Sequence, residues 1–371
     1  MPFQKLQVTK PIIDALREKG YNQPTPIQEQ AIPAILSGRD VLASAQTGTG
    51  KTASFAIPLL QRLTGTKPSK NIRGLILTPT RELAIQIAEN LTRYGKNLSI
   101  RNTLVYGGVS QFHQVQQLKR GTDVVIATPG RLQDLINQKL ITLSELEILV
   151  LDEADRMLDM GFIRDVKKIL SLIPDKCQRI FLSATIPREI QSLVATMLRN
   201  PVVIRISTGQ TPADIQQGVY HVAREDKRAL LKHVIAEKQM RNVIVFARTK
   251  HGADRIARDL SKAGIAAEAF HGDKSQGARQ RALSNFKRST IRVLVATDIA
   301  ARGIDITDLS FVINYEMPET TEAYTHRIGR TGRAGASGTA LSFCDHEEKG
   351  QLQNLNRIAP GKIRVLQHPF A

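Results

Sequence analysis

Residues 40–52 read Asp-Val-Leu-Ala-Ser-Ala-Gln-Thr-Gly-Thr-Gly-Lys-Thr, a short apolar run that passes through glycines into Lys51 and Thr52. Such a run predicts a buried strand, then a tight loop, then a helix. Glycines at 48 and 50 let backbone N–H groups crowd around an anion. The lysine can reach the β- and γ-phosphates of a nucleotide, and the threonine hydroxyl suits Mg²⁺. Ala45 stands where the general pattern has its first glycine. Further on, Leu149–Asp155 read Leu-Val-Leu-Asp-Glu-Ala-Asp, an apolar strand that ends in carboxylates. Asp152 is suited to the metal, and Glu153 to positioning and deprotonating a water. An acidic pair at a strand end can also cap a helix. With a lysine loop upstream, a phosphoanhydride-cleaving site explains both segments.

Other short Val-, Ile- and Leu-rich runs follow the same plan. They lie at 74–78, 123–127, 146–151, 179–182 and 202–206, and again at 218–222, 242–247, 266–270, 292–296, 311–315 and 339–343. Continuous apolar strands separated by amphipathic helical stretches such as 227–238 and 252–263 imply parallel sheets buried on both faces. The expected fold is therefore α/β, in two halves of one kind, with no close sequence repeat between them. The polar stretch 207–214, broken by Gly209 and Pro212, reads as a flexible linker. It divides residues 1–206 from residues 215–371. Loops at the carboxyl ends of such strands are where function gathers. Thr78–Glu82, Thr128–Arg131, Asp152-Glu153, Ser183–Thr185 and Thr297-Asp298 all fall there.

The bulk composition sets limits. The chain has 371 residues and a net charge of +18, with 27 Lys and Arg against 17 Asp and Glu over 1–206 and 25 against 17 over 207–371. Both halves are basic, which points to a polyanion held by both. Trp is absent and aromatics make up 5%, so a grip on phosphates fits better than base stacking. No apolar run approaches the roughly 18 residues of a membrane span, and residues 1–10 carry no export-type apolar stretch. Cys177 and Cys344 are expected as reduced, core-filling thiols. The expectation is a cytoplasmic monomer.

Together these motifs resemble the DEAD-box ATP-dependent RNA helicases of helicase superfamily 2. Asp152-Glu-Ala-Asp155 and the loop at 45–52 carry the resemblance first, and Ala45 is itself the family's habit. Gly20-Tyr-Asn-Gln-Pro-Thr-Pro-Ile-Gln28 resembles the Q motif, with Phe3 at the expected upstream spacing. Pro79–Ala84, Gly107-Gly108, Thr128–Arg131 and Ser183-Ala-Thr185 match the remaining motifs of the first half. Val243–Thr249, Gln276–Arg279, Ala296–Asp305 and His326–Arg333 match those of the second, in order. The layout is similar to the bacterial RhlE branch.

The resemblance implies two tandem RecA-like domains, each a mostly parallel sheet flanked by helices and joined by the short linker. It implies ATP and Mg²⁺ as cofactors. Lys51 and Glu153 would be catalytic, with Arg330 and Arg333 of the second half as arginine fingers; Arg327 is a third arginine in that stretch. Phe3, Gln28, Gly48, Thr49, Gly50, Lys51, Thr52 and Asp305 would hold the nucleotide, and Thr52 and Asp152 the metal. RNA contacts are implied at Pro79, Thr80, Arg81, Gly108, Thr128, Arg131, Thr249, Gln276, Arg279, Thr297 and Asp298. Asp155, Ser183, Thr185 and His326 would couple the two activities. The implied action is local, non-processive, sequence-independent duplex unwinding or ribonucleoprotein remodelling by ATP-driven closure of the two domains. Partners would be structured RNA and proteins of ribosome assembly or RNA decay. A DNA-directed motor shares the same ATP engine, but the Q motif favours RNA.

Overall fold

The computed structural model describes residues 2–45, 48–65, 71–206, 215–301, 306, 309–332, 338–358 (358 by its backbone) and 363–370. The chain divides into two compact units, Met1–Gly209 and Gln210–Ala371. The expected linker at 207–214 lies outside the described residues.

In the first unit the strands are β1 Val41–Ser44, β2 Gly74–Leu77, β3 Asn102–Val105, β4 Val124–Ala127, β5 Ile148–Leu151, β6 Gln178–Ser183 and β7 Val202–Arg205. They form a seven-stranded sheet in the order β3-β4-β2-β5-β6-β1-β7, every pairing parallel. The second unit carries β8 Ile215–His221, β9 Val243–Phe246, β10 Ala267–Phe270, β11 Val293–Ala296, β12 Phe311–Asn314, β13 Gly338–Cys344 and β14 Ile363–Leu366. Its order, β10-β11-β9-β12-β13-β8-β14, repeats the first sheet position for position, again all parallel. The two RecA-like domains are thus copies in topology, although their sequences show no close repeat.

Helices cover both faces of each sheet, so successive strand residues enter different cores. Along β5, Ile148 and Val150 join the cluster packed by the helices Pro26–Leu36 and Lys51–Leu63, while Leu149 and Leu151 join the opposite one. This two-sided burial is why the strands read as unbroken apolar runs. Each aliphatic side chain so buried contributes about 1.5–3 kcal/mol.

Cys177 and Cys344 are free and buried. Burial pushes their thiols up, to about 12 and about 11. Among the described residues, no helix is long and apolar enough to cross a membrane.

Candidate active site

The phosphate loop leaves β1 and enters the helix Lys51–Leu63 through Gly50, whose φ of 90° suits glycine. Gly48, at φ 88°, is built the same way. A Cβ on Gly50 would collide with the Gln28 amide and the Thr25 hydroxyl. Those two side chains brace the loop from the start of the helix Pro26–Leu36. The Gln28 amide nitrogen donates to Gly50 O (3.1 Å), and the Thr25 hydroxyl donates to Thr49 O (2.8 Å). The Thr25 N–H donates in turn to Gln28 Oε1 (3.0 Å). Gln28 is 1% exposed, yet one amide proton and one oxygen lone pair remain beyond these bonds. Phe3, expected to help hold the nucleotide, is a core residue at 3% exposure, in the same apolar cluster as Leu6 and Ile27. An apolar ring on the short helix Phe3–Leu6 gains more from burial than from an open face.

Lys51 Nζ and Asp152 Oδ1 are both buried and lack a hydrogen-bond partner among the described residues. Such orphans are costly unless a ligand completes them. A phosphate would satisfy the ammonium and a cation the carboxylate, so the residues present fit a nucleotide with Mg²⁺. Burial pushes the Asp152 carboxyl up to about 7, against the pull of the Lys51 ammonium beside it. The Glu153 backbone is left-handed, at φ 55°, ψ 51°. Its side chain is ion-paired with Arg156, and both groups are buried. Sequence reading missed this arginine because an i,i+3 charge pair on a helix is ordinarily surface decoration.

Asp155 ties this strand end to the next. Its Oδ2 accepts from Thr185 N (2.8 Å), the Thr185 hydroxyl (2.9 Å) and Ala184 N (3.1 Å). Burial works against ionisation there, but the Thr185 hydrogen bonds, the Lys51 ammonium and the Ser183 hydroxyl together outweigh it and hold the carboxyl below its usual range. The Ser183 hydroxyl accepts from Asp155 N (3.2 Å) and donates to Thr185 O (2.6 Å). Ala45 N donates to Ser183 O (3.1 Å), so the phosphate loop springs from the same knot.

On the other half of the sheet, β2, β4 and β3 end in the segments expected to face RNA. Thr80 caps the helix Arg81–Tyr94, accepting from Leu83 N (3.3 Å). The Arg81 guanidinium lies so close over Gly108 that a Cβ there would overlap it. Arg131 reaches the same loop from the other side, donating to Val109 O (3.1 Å), and its Nη1 is buried with no partner among the described residues. Thr128, first residue beyond β4, opens the helix Pro129–Asn137. Pro79, Thr80, Arg81, Gly108, Thr128 and Arg131 therefore lie at or just beyond three neighbouring strand ends, while the phosphate loop, Asp152-Glu153 and Ser183–Thr185 follow β1, β5 and β6.

The second unit repeats part of this plan. Thr249 caps the helix Lys250–Lys262 and accepts from Gly252 N (3.0 Å). Thr297 is the first residue past β11. Gln276 opens the helix Gln276–Lys287, and Arg279 is buried, its guanidinium 4.9 Å from the Phe270 ring centroid. Asp298 departs from expectation. Both its oxygens accept from Arg327, at 2.7 Å each, and an anion so engaged is a brace for the arginine rather than a ligand for phosphate. Arg327 also donates to Asn314 Oδ1 (3.1 Å) and Glu316 O (2.8 Å), which removes it from the arginine-finger candidates. Arg330 is buried, and His326 lies in the last turn of the helix Thr321–Ile328. Asp305 and Arg333 fall outside the described residues.

Comparison with known proteins decides the family. Residues 25–193 match the DEAD/DEAH box helicase model, and residues 226–335 match the helicase conserved C-terminal domain. The chain is 39% identical to the ATP-dependent RNA helicase CshA of Limosilactobacillus reuteri, over 100% of this chain and 74% of the relative. It is 40% identical to the CshA of Bacillus subtilis, over 99% of this chain and 74% of the relative. The chain belongs to the DEAD-box ATP-dependent RNA helicases. Among solved structures it is similar to Saccharomyces cerevisiae Dbp5 bound to RNA and ADP BeF3, with a TM-score of 0.86 at 29% identity over 98% of this chain and 95% of that one. It is also similar to a DEAD box protein of Methanococcus jannaschii, with a TM-score of 0.56 at 39% identity over 99% of each chain.

As a DEAD-box helicase the chain is an ATP-using enzyme that acts on RNA. The kinship expected with the RhlE branch is not supported, since the bacterial relatives here are CshA proteins. Thr25 is a second residue that sequence reading left without a role. The Thr-x-x-Gln pattern at 25–28 is a capping-box signature and could have revealed it.

Proposed function

We propose that this chain separates short RNA duplexes or remodels ribonucleoprotein by closing its two units on ATP and RNA, without processive movement and without reading sequence. In this reading Lys51, with the backbone of Gly48–Thr52, holds the β- and γ-phosphates. Gln28 offers its remaining donor and acceptor to the adenine edge, and Asp305 meets the ribose. Thr52 and Asp152 hold Mg²⁺, which supplies neutralising charge for the leaving phosphates. Glu153 orients the attacking water and takes its proton. Arg330 and Arg333 add positive charge at the transition state once the units close. The knot of Asp155, Ser183 and Thr185, with His326, carries the state of the nucleotide to the RNA side. There, threonine hydroxyls and arginines contact phosphates and 2′-hydroxyls, which carry no base code. The protein works as a cytoplasmic monomer, with ribosome-assembly or RNA-decay proteins as partners.

The observation that carries this reading is the pair of buried orphans, Lys51 Nζ and Asp152 Oδ1, beyond the ends of β1 and β5, the two strands that flank β6. The test is Glu153→Gln. It should keep nucleotide and RNA binding, lose most hydrolysis and trap a long-lived ATP-dependent RNA complex. Release as fast as in the unmodified protein would rule out Glu153 as the group that gates the cycle. Unwinding yields that stay level as the duplex is lengthened would rule out the local mode.

A further inference from the structure

The two units repeat each other at the carboxyl ends of their strands, and the repeat breaks at one place. Thr249 lies three residues past β9 as Thr80 lies three past β2, and both cap the next helix. Thr297 follows β11 as Thr128 follows β4. Lys227 is the first residue of the helix after β8, as Lys51 is of the helix after β1. The segment ahead of Lys227 reads Val222-Ala-Arg-Glu-Asp226, with no glycine and two acids, so it cannot cradle a phosphate. Nor is Lys227 an orphan. Its ammonium is buried against Asp345 Oδ2 (2.9 Å) and Glu348 Oε2 (2.5 Å). The adjoining cavity of about 740 Å³ is lined by four arginines and Lys227 against four glutamates and Asp345, which leaves no net charge to attract an anion. Where the first unit keeps a lysine for phosphate, the second supplies its own carboxylates.

Those carboxylates reach further. Glu348 Oε1 accepts from Arg248 Nη2 (3.0 Å) and Met317 N (3.0 Å). The Arg248 N–H donates to Glu316 Oε2 (2.9 Å), and Glu316 stands two residues past β12 as Glu153 stands two past β5. The residue after Arg248 is Thr249. We propose that Glu348, locked by Lys227, is a positioning residue for RNA binding that sets the Arg248–Thr249 turn so that the Thr249 hydroxyl meets the backbone. This rests on the reading of Thr249 as an RNA contact.

The experiment measures binding of a labelled single-stranded RNA to the full chain with ADP–BeF3, alongside ADP affinity, for Thr249→Ala, Arg248→Ala, Glu348→Gln and Thr249→Ala with Arg248→Ala. Each single variant should lose about tenfold in RNA affinity, the value of one hydrogen bond to a charged group. ADP affinity should be unchanged, and the double variant should lose no more than Thr249→Ala alone. The salt slope of Arg248→Ala should match the parent's, because Arg248 acts through its neighbour. Additive losses, or a slope reduced by about 0.7, would make Arg248 a phosphate ligand and overturn the proposal. Should Glu348→Gln fail to fold, Arg248→Ala still decides, since its side chain is half exposed and its loss leaves Lys227 paired. If Thr249→Ala binds RNA normally, the underlying reading of Thr249 fails. If it binds weakly while the Arg248 and Glu348 variants bind normally, only the positioning role fails.

Discussion

Gly50 carries two constraints at once, a left-handed backbone and the close approach of Gln28 and Thr25. Gly50→Ala should therefore cost about 1–3 kcal/mol in strain at the loop and weaken nucleotide binding, as read by titration with a fluorescent ADP. Binding at the parent's level would mean that the brace yields freely. The buried pair of Glu153 and Arg156 makes a different claim. If Glu153 acts as proposed, Arg156→Ala should lower kcat by about tenfold or more, since the group would lose its orientation. The KM for ATP should hold, and Arg156→Lys should recover part of the loss. A changed KM with constant kcat would place Arg156 in nucleotide binding instead. Asp152 predicts a pH effect. Burial pushes its carboxyl up, to about 7, so on the proposed reading Mg²⁺ would have to displace a proton there as pH falls. Binding of Mg–ADP should weaken as pH falls through 7 and release protons, and binding without Mg²⁺ should not. Calorimetry in buffers of different ionisation enthalpy measures both.

At the scale of elements, β5 shows how burial places chemistry. Leu149 is fully buried in the core face opposite Ile148 and Val150, and Leu149→Ala should cost the first unit about 2–5 kcal/mol, read as an earlier urea transition of that unit. The same strand was plain in the sequence because both its faces are buried. Two strands were not legible, β3 and β14, and both lie at sheet edges. Asn102-Thr-Leu-Val105 buries only alternate residues, and Ile363-Arg-Val-Leu366 buries none fully, so neither makes an apolar run. The site followed the same rule. Loops whose chemistry is local, such as Gly48–Thr52 or Asp152-Glu153, could be read directly. Phe3, Asp298 and Arg327 could not, because what each does depends on partners remote in sequence: a core for the ring, an arginine 29 residues on for the carboxylate.

For the whole molecule, the charge is spread over both halves, and matched threonines stand at Thr80 and Thr249 and at Thr128 and Thr297. If these duplicated positions contact the RNA backbone, as proposed, the grip should add up along one strand. RNA affinity should fall with rising salt through counterion release, with a slope near −0.7 per phosphate contacted. The slope should be almost the same for unrelated RNA sequences if the hydroxyls and arginines at the strand ends reach phosphate and sugar, as proposed. On the proposed closure it should steepen with ADP–BeF3, because the second unit would then add its contacts to those of the first. Arg131→Ala should flatten the slope by about 0.7 with or without nucleotide, whereas Arg279→Ala should flatten it only with nucleotide. Anisotropy titrations at four salt concentrations separate these cases. A slope indifferent to nucleotide, or a tenfold preference for one RNA sequence, would mean that the two units do not share a sequence-blind clamp.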